Sequence, residues 1–83
     1  MTTTTHRVMT TKRLLTLCDR IRFWSVATEH YKSRRNEARE SARTDNWLWR
    51  DIELLRAERN AKLCQFAHCR MMIAIANLKT ELS

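Results

Sequence analysis

Apolar side chains recur at helical spacing along most of the chain. From Leu14 onward, alternating steps of three and four residues join a set of positions, which is the repeat that places side chains on one face of an α-helix. The set is Leu14, Leu17, Ile21, Trp24, Thr28, Tyr31, Arg35, Ala38 and Ala42. It is strongly apolar in its first half and weak in its second, and it predicts a helix over residues 11–43.

Residues 47–82 carry two apolar stripes instead of one. The first keeps an uninterrupted three-and-four spacing and consists of Leu54, Ala57, Ala61, Cys64, His68, Met71, Ile75, Leu78 and Leu82. The second is interrupted by Arg59 and Arg70 and consists of Leu48, Ile52, Leu55, Leu63, Phe66 and Ile73. At about 100° per residue, the centres of the two stripes lie about 160° apart. Packing against a single helix therefore covers only one of them.

The chain contains no glycine and no proline, which argues against a fold with many tight turns and favours an all-α protein. Thr44, Asp45 and Asn46 form the one run of consecutive residues that favour caps and turns. We therefore predict a single antiparallel helical hairpin over residues 11–83, with helices at 11–43 and 47–82, a turn at 44–46 and a flexible Thr-rich tail at 1–10. One continuous helix and a three-helix arrangement are the alternatives.

A chain of 83 residues has a core that contributes only about 3 to 5 kcal/mol of net stability, and the spare stripe offers a surface for a second chain. We expect a four-helix-bundle-like homodimer, or docking on a larger protein; folding only on the partner is a third possibility. The predicted partner interface comprises Ala57, Ala61, Cys64, His68, Met71, Ile75, Leu78 and Leu82.

The three cysteines are an odd number without a disulfide framework, so we expect reduced thiols and a cytoplasmic location. Cys64 and His68 have the spacing of a metal pair on a helix, but we interpret them as packed or interface residues, because no further ligands lie near.

No apolar run has the length of a membrane span. We predict no catalytic residues, no metal, no cofactor and no enzymatic activity.

The formal net charge is +7, and it indicates an acidic partner. The amino-terminal basic residues have little acidic compensation, so they are the candidates for contact with nucleic acid or an acidic protein: Arg7, Lys12, Arg13, Arg20 and Arg22. The segment KSRRNEARESAR alternates its charges and is interpreted as a solvated helix face.

Aromatic residues cluster at the turn, where Trp47 and Trp49 follow the predicted reversal and Tyr31 lies on the facing helix. They either anchor a partner or close the end of the hairpin. The leading hypothesis is a small non-enzymatic interaction protein, an accessory or inhibitory factor of the kind that phages and plasmids encode. The alternative is a nucleic-acid-binding regulator that uses the amino-terminal arginines.

Overall fold

The computed structural model consists of two long helices joined by a short reversal. Helix α1 spans Thr2–Ser41 and helix α2 spans Trp47–Leu82. The structure describes the backbone of residues 2–83 and the side chains of residues 11–83. Within this part of the chain there is no strand, and the two helices pack against each other, which confirms the predicted all-α hairpin. The molecule is a rod of 70 × 15 × 12 Å.

The bounds of α1 differ from the predicted 11–43 at both ends. The helix begins at Thr2, inside the segment predicted as a tail, where no glycine or proline stops it. It ends at Ser41, and the following backbone N–H groups of Arg43 and Thr44 bond to the carbonyls of Glu40 and Ala42 at 3.1 and 3.0 Å. The flexibility predicted for residues 1–10 concerns residues outside the described side chains and stays a prediction.

The face of α1 that contacts α2 is the one that the apolar pattern predicted. Every position in the three-and-four series from Leu14 to Ala42 is buried or half-buried. Leu17, Ala38 and Ala42 are buried outright. The series also includes the half-buried Thr28. Its hydroxyl donates to the carbonyl of Trp24 at 2.7 Å, which satisfies this polar group inside the helix.

The contacting face of α2 is rotated from the first predicted stripe. Ala57, Cys64, Met71 and Leu78, which were predicted to contact a partner, are buried or half-buried beside α1. The residues that alternate with them at the seam are Glu53, Asn60, Ala67, Ala74 and Glu81. Of the remaining residues of the first stripe, Leu54, His68 and Leu82 are exposed, and Ala61 and Ile75 are half-buried. Ala67 and Ala74 are buried, and their small side chains allow the helix axes to approach closely.

The reversal is held by side-chain and backbone hydrogen bonds. Asn46 caps α2, since its side-chain oxygen accepts from the N–H of Trp49 at 3.1 Å. Its own N–H donates to the Thr44 hydroxyl at 3.3 Å. The indole N–H of Trp49 donates to the Ser41 hydroxyl at 3.2 Å, which ties the start of α2 to the end of α1. Among the described residues no backbone φ angle is positive.

Candidate interaction surfaces

The hairpin exposes more surface than a compact protein of its mass. Its accessible surface is 6851 Å² for a mass of 10.0 kDa, whereas a compact monomer of that mass exposes about 5200 Å². The difference, about 1600 Å², is about twice the area that one partner buries in a standard protein–protein interface, about 800 Å². The buried core of the described residues is correspondingly small, with Leu17 and five alanines as its apolar members.

The two sides of the helix seam differ in chemistry. On α2, steps of about 100° per residue put Met71 and Leu78 on one side of Ala74, and Arg70 and Asn77 on the other. On α1, the Thr28 carbonyl accepts from Cys64 Sγ at 3.5 Å on the first side, and Arg13 and Arg20 share a groove with Asn77 on the other. The seam thus has two flanks.

The first side we call the apolar flank. It consists of Cys18 from α1 together with His68, Met72, Ile75 and Leu82 from α2. Ile75 is half-buried and the others are exposed. Lys79 lies on the same face of α2, four residues after Ile75 and three before Leu82, so the flank is a mainly apolar strip along the half of the hairpin remote from the turn.

The predicted partner-interface residues fall between the seam and this flank. Ala57 is buried against α1. Ala61, Cys64, Met71, Ile75 and Leu78 are half-buried, so each is partly covered by α1 and partly open. His68 and Leu82 are exposed. Their role toward a partner stays a prediction; the structure places them in one continuous strip whose outer edge faces away from α1.

The second predicted stripe of α2 is largely exposed. Leu48, Ile52, Leu55, Phe66 and Ile73 are exposed and Leu63 is half-buried. Arg59 and Arg70 interrupt it, so it forms two patches: one near the turn, and one at Phe66 and Ile73. The expectation that folding back leaves apolar surface uncovered is therefore met on α2 by this stripe.

The other side of the seam we call the arginine flank, and it consists of Arg13, Arg20, Trp24, Phe66, Arg70 and Asn77. One groove is lined by Arg20, Trp24, Arg70, Ile73, Ala74 and Asn77. A second is lined by Arg13, Thr16, Leu17, Arg20 and Asn77. Because the grooves share Arg20 and Asn77, they form one continuous channel along the seam.

Aromatic rings continue this channel toward the middle of the hairpin. Trp24 lies edge-to-face between Phe23, at 4.9 Å and 83°, and Phe66 of the other helix, at 5.8 Å and 85°. The guanidinium of Arg70 lies 5.3 Å from the centre of the Phe66 ring, within the range of a cation–π contact. In the sequence, Arg70 interrupts an apolar stripe. Its position opposite Arg20 depends on the packing of the two helices.

The predicted amino-terminal basic residues divide between surfaces. Arg13 and Arg20 lie on the arginine flank, and Arg13 pairs with Glu81 at 2.7 Å. Lys12 and Arg22 are exposed elsewhere on α1. Arg7 lies outside the residues whose side chains are described. In the KSRRNEARESAR segment, Arg43 and Glu40 form an exposed pair at 3.7 Å.

The predicted aromatic anchor is not brought together. Trp47 and Trp49 are exposed beside the turn. Tyr31 is half-buried and its ring contacts His30 at 5.4 Å. It lies ten residues before Ser41, the partner of Trp49, which is about 15 Å along α1.

Cys18, Cys64 and Cys69 are free thiols. Among the described residues, no three His, Cys, Asp or Glu side chains lie close enough together to hold a metal ion. In the same part of the chain, neither helix has a stretch long and apolar enough to cross a membrane.

Comparison of the chain with protein-family models, with curated proteins and with solved structures found no match.

Proposed function

We propose that this chain is a non-enzymatic interaction protein whose apolar flank packs against a second helical chain, and that a second copy of itself is this partner. The observation that carries the proposal is the mainly apolar strip along the seam, which α1 covers only in part. Two copies related by a twofold axis would bring the same strip together from both molecules. The product is a four-helix bundle.

The areas support this stoichiometry. If each of two chains covered its excess of about 1600 Å², the interface would total about 3200 Å², within the range of obligate homodimers. Full burial of one large aliphatic side chain stabilises by about 1.5 to 3 kcal/mol. A few such residues from each copy offset the loss of rotational and translational freedom on association. Docking on a larger helical protein, as an accessory or inhibitory factor, is the alternative use of the same strip.

The free thiols of Cys18 and Cys69 are exposed, and thiols of this kind persist in a reducing compartment. We therefore propose that the chain acts in the cytoplasm.

The test is the molar mass of the purified chain by sedimentation equilibrium over a range of concentrations. We expect a dimer, and we expect the double variant Met72→Asp/Leu82→Asp to sediment as a monomer with unchanged helicity. Both residues are already exposed, at 49% and 68%, so the changes leave the hairpin core intact. The matched control is Val26→Asp/Leu55→Asp, which adds the same charge at positions that are 64% and 66% exposed on the outer surfaces of the helices.

The control variant should remain dimeric. A folded wild-type monomer, or a control variant that dissociates while the flank variant stays dimeric, contradicts the proposal.

A further inference from the structure

We propose that the arginine flank is a binding site for a single-stranded polynucleotide, with phosphates held by Arg20 and Arg70 and bases stacked on Phe23 and Phe66. This site is separate from the apolar flank, so it does not rest on self-association. It joins residues of both helices, and the groove lined by Arg20, Trp24 and Arg70 is its centre.

The first support is that Arg20 and Arg70 have no carboxylate partner. In the described part of the chain, no carboxylate lies within ion-pair distance of Arg20 or Arg70. The two guanidinium groups line the same groove from opposite helices. Planar guanidinium groups bind phosphate through paired hydrogen bonds. Two guanidinium groups that face one groove without a carboxylate partner therefore favour an anionic ligand.

The second support is the row of rings beside these cations. Phe23 is 63% exposed and Phe66 is 51% exposed, so each offers open ring surface. Trp24 lies between them and fixes both through edge-to-face contacts. Aromatic rings next to a cationic groove are the arrangement on which proteins stack the bases of single strands. An acidic peptide would use the arginines but has no general use for open ring faces.

The third support is the direction of the channel. It runs along the seam from the Phe66 ring past Arg20 and Asn77 to Arg13. Arg13 and Arg20 are seven residues apart on α1, or about 10 Å. This spacing suits a flexible strand that lies along the rod. Arg13 is paired with Glu81 at 2.7 Å, so the strand is held by Arg20 and Arg70, and Arg13 marks the end of the channel. Thr16 and Asn77, which line the channel between the arginines, offer further hydrogen-bonding groups.

The test measures binding of fluorescent RNA and DNA single strands of about 16 nucleotides by anisotropy, using the full chain at several salt concentrations. We expect binding at about 50 mM salt that weakens steeply as salt is added. The variant Arg20→Gln/Arg70→Gln should bind about tenfold or more weakly, and its salt slope should be smaller by about 1.4, or 0.7 for each phosphate contact.

The matched control is Arg39→Gln/Arg50→Gln, which removes the same charge from exposed positions outside the channel. It should keep the wild-type salt slope. The variant Phe66→Ala should weaken binding about 5- to 100-fold with an unchanged salt slope, because it removes stacking and no charge.

A spectroscopic readout locates the ligand. In a Trp47→Phe/Trp49→Phe background, Trp24 is the remaining tryptophan, and its fluorescence should be quenched when either strand binds. The proposal is overturned if no strand binds at about 50 mM salt, or if the control and the flank variant lose affinity equally. It is also overturned if polyglutamate binds as tightly and quenches Trp24 as strongly, since the site would then belong to acidic polypeptides.

Discussion

Removing Arg56 from its ion pair with Glu53 should destabilise the hairpin much more than removing Glu53. The Glu53 side chain is 1% exposed at the seam, and both of its carboxylate oxygens accept from Arg56 Nη1, at 2.9 and 3.0 Å. Arg56 is 45% exposed. One member of the pair is therefore enclosed by protein, while the other reaches water.

The two single substitutions accordingly have different costs. Arg56→Leu leaves an enclosed carboxylate without its cation, a change that costs about 3 to 5 kcal/mol in buried pairs. Because Arg56 is half in solvent, we expect the lower end, about 3 kcal/mol. That is most of the net stability of a single core of this size, about 3 to 5 kcal/mol. Glu53→Met removes the enclosed charge itself and returns Arg56 to water, so we expect stability equal to or above that of the wild type.

The assay is urea unfolding followed by far-ultraviolet circular dichroism at one fixed chain concentration. Arg56→Leu should lose most of its folded baseline. The double variant Glu53→Met/Arg56→Leu should recover close to the wild-type midpoint. The reasoning is refuted if Arg56→Leu unfolds at the wild-type urea concentration, or if Glu53→Met is destabilised as much as Arg56→Leu.

Two further substitutions probe the seam and the turn by the same urea assay. Ala67→Leu forces a larger side chain into a fully buried position and should cost about 1 to 3 kcal/mol, whereas Ala76→Leu on the exposed surface should change stability by less than about 0.5 kcal/mol. Asn46→Ala removes the cap of α2 and should cost about 1 kcal/mol, while Asn46→Gly should cost only a few tenths. Equal midpoints within either pair would contradict the packing or the cap that the structure assigns.

Periodicity was sufficient to predict the hairpin and the whole contacting face of α1. The α1 series from Leu14 to Ala42 contains large apolar residues at its start and no competing series of equal regularity. Its phase was therefore fixed by the residues themselves.

On α2 the periodicity did not show which residues would face α1 and which would face a partner. The first stripe, with large apolar residues such as Leu54, Ile75 and Leu82, was assigned to a partner, whereas the seam with α1 takes some residues of that stripe together with Glu53, Ala67 and Ala74. Small side chains such as these alanines let the helices approach closely, and this choice depends on how the two helices pack. A charged residue such as Glu53 enters the seam because Arg56 satisfies its carboxylate.

The candidate sites were predictable only where one helix supplies them. Arg13 and Arg20 were identified from the charge of the amino-terminal segment. Phe66 was assigned to an apolar stripe, and Arg70 was interpreted as a break in that stripe. Their proximity to Trp24 and Arg20 could not be predicted, because it depends on the register between the two helices. The distance between Tyr31 and Trp49 likewise depends on the packing of the two helices.

The reversal between the helices has a consequence for how this region can change over time. Because none of its described residues has a positive φ angle, every amino acid with ordinary chirality, apart from proline where an N–H is bonded, fits the path without steric penalty. Arg43 and Asp45 are exposed, and evolution or a randomised library can replace them freely. Glycine, which helps most loops, would here only enlarge the freedom of the unfolded chain. Sequence diversity at this corner is limited by the partners of Thr44 and Asn46 and not by backbone geometry.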